Sequence, residues 1–257
     1  MQRLLPLGTS AGKATTLRNT TSTLIELDDG KCILIDCGDG ILNNLIKTNF
    51  NLNRIRTILI THLHSDHIGG LISVLFGWEV KDCQVFVPTG GKELFDVFAK
   101  ISHHNIGKTI TLNEIEEKDM VLLTTLSNGV TIKSFPIPHG EVISHGFVLE
   151  DKRGLIVAYL GDTSGRDLSF LNKVHVLVHE CTFNSKTTVK YDHSNPEIAC
   201  TACNQCKADY LLLNHFSARY STPDDFYQIR NDCRKFTRAK IFTLDDYRYF
   251  NLFSIGV

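Results

Sequence analysis

Thr61-His62-Leu63-His64-Ser65-Asp66-His67-Ile68-Gly69-Gly70 places three histidines and one aspartate within six residues. The apolar run Ile58-Leu59-Ile60 stands directly before it and reads as a buried strand, and Gly69-Gly70 opens an apolar, helix-like stretch. The four side chains therefore fall on a strand-to-helix loop at a sheet edge. Imidazole and carboxylate are the ligands that zinc and other borderline divalent ions prefer. Four such groups this close exceed what one tetrahedral ion with an open position can use. The pattern predicts two metals side by side, a geometry that serves the cleavage of phosphodiesters and other stable bonds. A polar loop without metal would leave three imidazoles and a carboxylate clustered with no partner.

Three further positions stand just past a predicted strand in the same way. They are His139 in Pro136-Ile137-Pro138-His139-Gly140, Asp162 in Leu160-Gly161-Asp162-Thr163 and His215 in Leu213-Asn214-His215-Phe216-Ser217. Alone, such a His is more often structural, and such an Asp is more often a turn or helix cap. Together they complete a count. Two ions need about seven or eight protein ligands; the first motif supplies four, and these supply three.

Around these points the chain alternates strands and helices. Strands are expected at Ser22 to Leu27 and Lys31 to Asp36, flanking the hairpin signal Asp28-Asp29-Gly30. Others are expected at Ile55 to Ile60, Gln84 to Pro88, Val130 to Ile137, His145 to Glu150, Leu155 to Leu160, Val174 to His179 and Tyr210 to Leu213. Helices are expected at Ile41 to Ile46, Lys92 to Ile101, Asn195 to Lys207 and Thr222 to Arg234, the last opened by Ser221-Thr222-Pro223-Asp224. This order suggests two sheets packed face to face with helices outside. No linker, low-complexity tract or short-period repeat divides the 257 residues, which are read as a single domain, 1–257.

The bulk numbers narrow the class. Hydrophobic content of 42% fits a full globular core. No apolar run approaches the roughly 20 residues of a membrane span, and the N-terminus reads as a first strand rather than a signal peptide. A cytoplasmic protein is expected, with nuclear or organellar placement open. A net charge of −1 does not mark a general nucleic-acid binder. One basic stretch, Arg230 to Lys240, carries five Lys or Arg against one Asp; it reads as a solvated helix end or as a phosphate-facing patch. The eight cysteines read as reduced core thiols. Cys200, Cys203 and Cys206 share one helix face at a spacing of three, where core packing is favoured over a structural zinc.

The motifs, in this order, resemble a metallo-β-lactamase-fold hydrolase, and within that superfamily ribonuclease Z, the tRNA 3′-processing endonuclease. The resemblance runs over nearly the whole chain. Gly8-Thr9-Ser10-Ala11-Gly12 with Arg18-Asn19-Thr20 is similar to the family's N-terminal motif, and Asp36-Cys37-Gly38-Asp39-Gly40 and His62 to Gly70 follow. His139, Gly161-Asp162-Thr163 and His179-Glu180-Cys181-Thr182 come next; the last is similar to the family's His-Glu-Ala-Thr. Asp192-His193-Ser194 and His215-Phe216-Ser217-Ala218-Arg219-Tyr220 close the series.

The resemblance implies a four-layer αββα sandwich, a homodimer and two Zn²⁺ per chain, although Mn²⁺ suits the same ligands. It implies that His62, His64 and His139 hold one ion, that Asp66, His67 and His215 hold the second, and that Asp162 bridges. Such a pair lowers the pKa of water toward about 7 and supplies hydroxide for in-line attack on phosphorus. Asp66 would also orient the attacking water. His193 would protonate the leaving oxygen, steadied by Glu180. Arg219, beside Ser217, is a candidate phosphate clamp because its fork matches phosphate oxygens; a structural ion pair is the alternative. Thr9, Ser10 and the loop Lys13 to Asn19 would border the pocket and present N–H groups to phosphate, or form a plain turn.

One feature departs from the family. Ribonuclease Z enzymes usually carry a long tRNA-gripping arm between the residues corresponding to His139 and Asp162. Here 22 residues separate them, enough for two strands and a turn. The arm as the family usually builds it is therefore absent. The N-terminal and closing motifs still point to precursor tRNA, cut to leave a 3′-hydroxyl, as the expected substrate; the alternatives are cyclic nucleotides or related small diesters, or an enzyme whose dimer mate or another protein supplies the RNA grip. Hydrolysis of β-lactams or thioesters, and a non-catalytic metal- or RNA-binding module, fit the presumed acid less well.

Overall fold

The computed structural model describes residues 1–76, 80–103, 106, 109–189 and 192–256. The first half forms β1 (Arg3–Gly8), β2 (Ser10–Ala11), β3 (Ser22–Glu26), β4 (Cys32–Ile35), α1 (Ile41–Lys47), β5 (Ile55–Leu59), α2 (Ser65–Ile68), α3 (Leu71–Phe76), β6 (Cys83–Val87), α4 (Gly91–Ser102), β7 (Ile110–Glu114) and β8 (Val121–Thr125). The second forms β9 (Thr131–Ile137), β10 (Ser144–Glu150), β11 (Ile156–Leu160), β12 (Val176–Glu180), α5 (Pro196–Gln205), β13 (Tyr210–Asn214), β14 (Phe216–Ser217), α6 (Pro223–Cys233), β15 (Lys240–Thr243) and β16 (Phe250–Asn251).

Two seven-stranded sheets result, in the orders β16-β1-β3-β4-β5-β6-β7 and β15-β13-β12-β11-β10-β9-β8. Their sequences explain why they stack. In β4, Ile33 and Ile35 face the core between the sheets, while Cys32 and Leu34 face the helical layer outside. In β12, Val176 and Val178 point inward and Leu177 outward. Strands covered on both faces read as unbroken apolar runs, which is what these segments show. Three cores follow: one between the sheets, one under α1, α3 and α4, and one under α5 and α6. This is the αββα sandwich expected from the sequence.

The hairpins close as their turns dictate. Gly30 (φ 79°) lets β3 return as β4, and Gly154 (φ 83°) lets β10 return as β11. The 22 residues between His139 and Asp162 are thus consumed by β10, β11 and their turn. Six strands are missing from the sequence reading: β2 and β14, two residues each and paired with one another, and β7, β8, β15 and β16. The last four lie at sheet edges with one side solvated, so none carries an unbroken apolar run. Among the described residues no helix is long and apolar enough to cross a membrane.

All eight cysteines are buried and free. Cys200, Cys203 and Cys206 pack with Cys181 and Cys233 in the core under α5 and α6. Burial pushes the Cys203 thiol up to about 11 and Cys206 up to about 12. Among the described residues no cysteine joins a group able to hold a metal. In the basic stretch Arg230 donates to Thr243, Arg234 to Asn231, Lys235 to Asp232 and Lys240 to Tyr210. Of these partners only Asp232 is acidic, and Arg234, Lys235, Arg238 and Lys240 are exposed.

Gly161 sits where the two sheets approach closely. A Cβ there would lie 2.6 Å from Thr61 Cβ, in the residue that opens the metal motif. Gly161→Ala should therefore lower unfolding free energy by about 1–3 kcal/mol in chemical denaturation. A denaturation curve matching the parent would remove the close-approach argument.

Candidate metal centre

Four strand ends deliver one cluster. β5 runs into His62, His64, Asp66 and His67; β9 ends just before His139, β11 before Asp162 and β13 before His215. All lie at one edge of the sandwich, beyond the carboxyl ends of these strands. His215 holds a left-handed backbone (φ 54°), a local cost that the surrounding packing must sustain. Six of the seven ligands are buried, and His64 is exposed.

The cluster divides into two groups. In the first, His62 Nε2 lies 3.1 Å from His64 Nδ1, His139 Nε2 lies 3.4 Å from the same atom, and Asp162 Oδ2 is 3.7 Å from His62 Nε2. In the second, His67 Nε2 and His215 Nε2 are 3.1 Å apart, with Asp66 Oδ2 at 3.3 Å from His215. Asp162 reaches into both, with Oδ1 3.4 Å from His67 and Oδ2 3.3 Å from His215.

The donor atoms fit divalent ions. The outer nitrogens of four histidines are already engaged: His62 Nδ1 with Thr61 Oγ1 (3.0 Å), His67 Nδ1 with Asp36 Oδ2 (2.8 Å), His139 Nδ1 with the Asp192 carbonyl (3.0 Å) and His215 Nδ1 with Thr182 Oγ1 (2.9 Å). Their inner nitrogens therefore converge, and their lone pairs repel unless a proton or a metal cation lies between them. Asp162 Oδ1 is buried without a hydrogen bond, a costly state for a carboxylate that no cation shares. Burial, with His67 beside it, drives His62 well below its usual pKa, into the neutral form a metal requires.

The charges around His67 run the other way. Burial works to lower its pKa, but Asp162 and Asp36 beside it prevail and hold it well above the usual value. Burial would raise the Asp162 carboxyl, yet His215 and His67 hold it well below the usual range. A protonated His67 must lose its proton to bind a metal, so metal affinity should fall as pH drops. Zinc calorimetry in two buffers of different ionisation enthalpy should register proton release; identical heats in both would contradict it.

Beside this cluster, His193 Nδ1 donates to Glu180 Oε1 at 2.9 Å. The Glu180 carboxylate also accepts the Thr163 N–H (3.0 Å), the Thr182 N–H (3.0 Å) and the Thr182 hydroxyl (2.7 Å). It is pinned on both oxygens and cannot swing away from His193. Burial works to lower the His193 pKa, but the hydrogen bond and charge of Glu180 prevail and raise it. The ring stands 5.5 Å from His215 and 5.1 Å from His139, centroid to centroid.

The remaining expected residues are placed differently. Thr9 and Ser10 are fully buried. Thr9 donates to Asp246 (2.7 Å), the Asn19 amide to Leu7 O, Asp246 and Tyr247, and Ser10 to Lys13 O. Thr9 and Asn19 thus tie the N-terminal loop to Asp246 and Tyr247, and Ser10 closes the loop on itself. The loop reaches the site through one backbone group, the Gly12 N–H, which donates to Asp66 Oδ2 at 2.6 Å. Arg219 Nε donates to Ser217 Oγ (3.0 Å) and its guanidinium lies 5.6 Å from the Phe183 ring. Among the described residues Arg219 has no acidic partner, so the structural ion pair is not what holds it. Asp36, Thr61, Thr182 and Gly12 emerge as supports that spacing alone did not reveal. Each lies inside or beside a motif, but motifs announce ligands, not what braces them.

Known proteins are similar to this chain over most of its length. A family model described as "Anti-Pycsar protein Apyc1" matches residues 2–228. Ribonuclease Z of Macrococcus caseolyticus is 26% identical, covering 97% of this chain and 99% of that protein. That alignment runs over 306 positions against a chain of 257 residues, so the relative carries stretches this chain lacks. The crystal structure of human tRNase Z, short form, superposes with a TM-score of 0.82 at 25% identity, covering 99% of this chain and 100% of that one. The metallo-β-lactamase-fold protein YhfI of Bacillus subtilis superposes with a TM-score of 0.81 at 17% identity, covering 97% and 99%, and so matches in fold. The chain is thus similar to ribonuclease Z, is a metal-dependent hydrolase of the metallo-β-lactamase fold, and belongs to the family described as Anti-Pycsar protein Apyc1.

Proposed function

We propose that the chain is a dinuclear zinc phosphodiesterase, an endoribonuclease that removes the 3′ trailer of precursor tRNA and leaves a 3′-hydroxyl. The observation that carries this reading is the His193–Glu180 pair at 2.9 Å beside the ligand cluster. A phosphodiester releases an alkoxide, which departs poorly unless it is protonated, and a raised-pKa imidazole on the cluster's rim suits that task. Two divalent ions held by the seven ligands would bring water's pKa near neutrality and draw charge from the phosphoryl oxygens. The chain's residues do the rest. Asp66, held by the Gly12 N–H, orients the attacking water. His193, its Nδ1 committed to Glu180, offers Nε2 to the leaving O3′. Arg219 holds a phosphate oxygen through its terminal nitrogens.

The His193 pKa gives a pH test. An acid works while protonated, so activity should fall as pH rises through the raised His193 pKa. Glu180→Gln removes the charge that raises it, and the alkaline limb should move down by about 1–2 pH units. An unmoved limb would mean that His193 does not set it.

A second reading rests on the short β10–β11 hairpin. An enzyme without a gripping arm lacks much of the electrostatic hold that RNA binding draws on. A small diester such as a cyclic nucleotide needs no such hold. Zinc-loaded protein given 3′-extended precursor tRNA and, in parallel, 3′,5′-cyclic AMP separates the two. Cutting near the base of the acceptor stem supports the first; intact precursor beside hydrolysed cyclic nucleotide supports the second.

A further inference from the structure

The two ligand groups share one buried brace that belongs to neither. Asp36, fully buried, follows β4 in a left-handed backbone (φ 59°) with its N–H on the Leu59 carbonyl. Its Oδ1 accepts the Thr61 N–H at 2.8 Å, and both oxygens lie 3.0 Å from Thr61 Oγ1. A hydroxyl has one proton, and the carboxylate is the stronger acceptor. Thr61 Oγ1 therefore donates to Asp36 and accepts from His62 Nδ1 at 3.0 Å, which turns the His62 Nε2 lone pair into the first group. His67 Nδ1 donates to Asp36 Oδ2 at 2.8 Å, which turns its Nε2 lone pair into the second. The other sheet clamps Thr61 from its far side. His145 N–H donates to the Thr61 carbonyl at 2.9 Å, and Gly161, next to Asp162, leaves no room for a Cβ against Thr61.

The geometry points to Thr61, acting with Asp36, as a positioning residue that couples the two metal subsites, so that filling one prepares the other. An ion on His62 would hold the ring with its Nδ1 on the Thr61 hydroxyl, and so restrain a hydroxyl that already donates to Asp36. That restraint would steady the Asp36 carboxylate, which holds His67 Nδ1 and leaves its Nε2 to the second ion. The inference rests on the two-metal reading above, but not on which diester is cleaved.

The test is zinc binding, read by competition with a chelator of known affinity, for the parent, Thr61→Val and Thr61→Ser. The parent should take up two equivalents per chain in one cooperative transition. Thr61→Val has nearly the same shape but no hydroxyl. It should keep one equivalent near parental affinity, weaken the other by about 10–100-fold, and show two separate steps. Thr61→Ser, which retains the hydroxyl, should restore the single transition. Should Thr61→Val fail to fold, Thr61→Ala carries the same expectation with less crowding at Gly161. Uptake of both equivalents by the hydroxyl-free variants with parental affinities would overturn the coupling. A parent that binds one equivalent would overturn both the coupling and the two-metal reading. A parent that binds two cooperatively but cleaves no diester would leave the coupling standing and remove only the phosphodiesterase reading.

Discussion

His193→Ala lowers turnover of an RNA diester by about 10²–10⁴-fold while two metals stay bound. The size follows from what is lost. The leaving O3′ would depart as an alkoxide, and the group placed to protonate it is gone. Metal retention follows because His193 Nδ1 is committed to Glu180 at 2.9 Å, while the seven other residues make up the two ligand groups. His193 also stands within ligand distance of Asp162 and His215, so metal content must be measured alongside rate. A diester with p-nitrophenolate as leaving group needs little protonation, and its hydrolysis should fall much less. Equal losses on both substrates would remove His193 from the acid role, and loss of an ion would make it a ligand instead.

Asp162→Ala should empty the centre. Its two oxygens are the only carboxylate atoms among the described residues that reach both ligand groups, and burial leaves Oδ1 without a hydrogen bond. Removing it would take away the carboxylate proposed as the bridge, and with it negative charge beside His62, His67 and His215. Metal affinity should fall by more than about 100-fold, since even residues that only orient a ligand cost 10–100-fold. Atomic absorption after dialysis would measure it. Two ions retained per chain would exclude Asp162 as the bridge.

Much of this centre was legible because metal ligands must be of particular types and must sit where strands end. His62, His64, Asp66 and His67 crowd one loop, and His139, Asp162 and His215 each follow an apolar run by one or two residues. The central strands were legible for a related reason: β4, β5, β12 and β13 are covered on both faces, and each carries an apolar run, at 32–35, 58–59, 176–178 and 211–213. Edge strands such as β7 and β15 leave one face wet and gave no such signal. Thr9 and Asn19 suggested a phosphate loop by composition, but composition does not say which way a side chain turns. Their partner, Asp246, is more than 220 residues away in sequence. Thr61 and Thr182 were invisible as braces because a hydroxyl can serve many ends, and only the fold brings them against His62 and His215.

The substrate was the least legible part. The resemblance to ribonuclease Z rests on motifs around the metal centre, and the matching family model is described as Anti-Pycsar protein Apyc1. Residues that perform hydrolysis can be shared where residues that grip the substrate differ. The β10–β11 hairpin, not the ligand cluster, is where this chain parts from the arm-bearing pattern.

The central claim is that two ions, held by these seven residues, cleave a phosphodiester. The most direct measurement titrates the metal-depleted chain with zinc while following hydrolysis of bis(p-nitrophenyl) phosphate, a diester that needs neither an arm nor a base-specific contact. The account predicts that activity rises with bound zinc and levels off at two ions per chain. Full activity at one ion, activity that survives complete chelation, or two bound ions with no hydrolysis would contradict it.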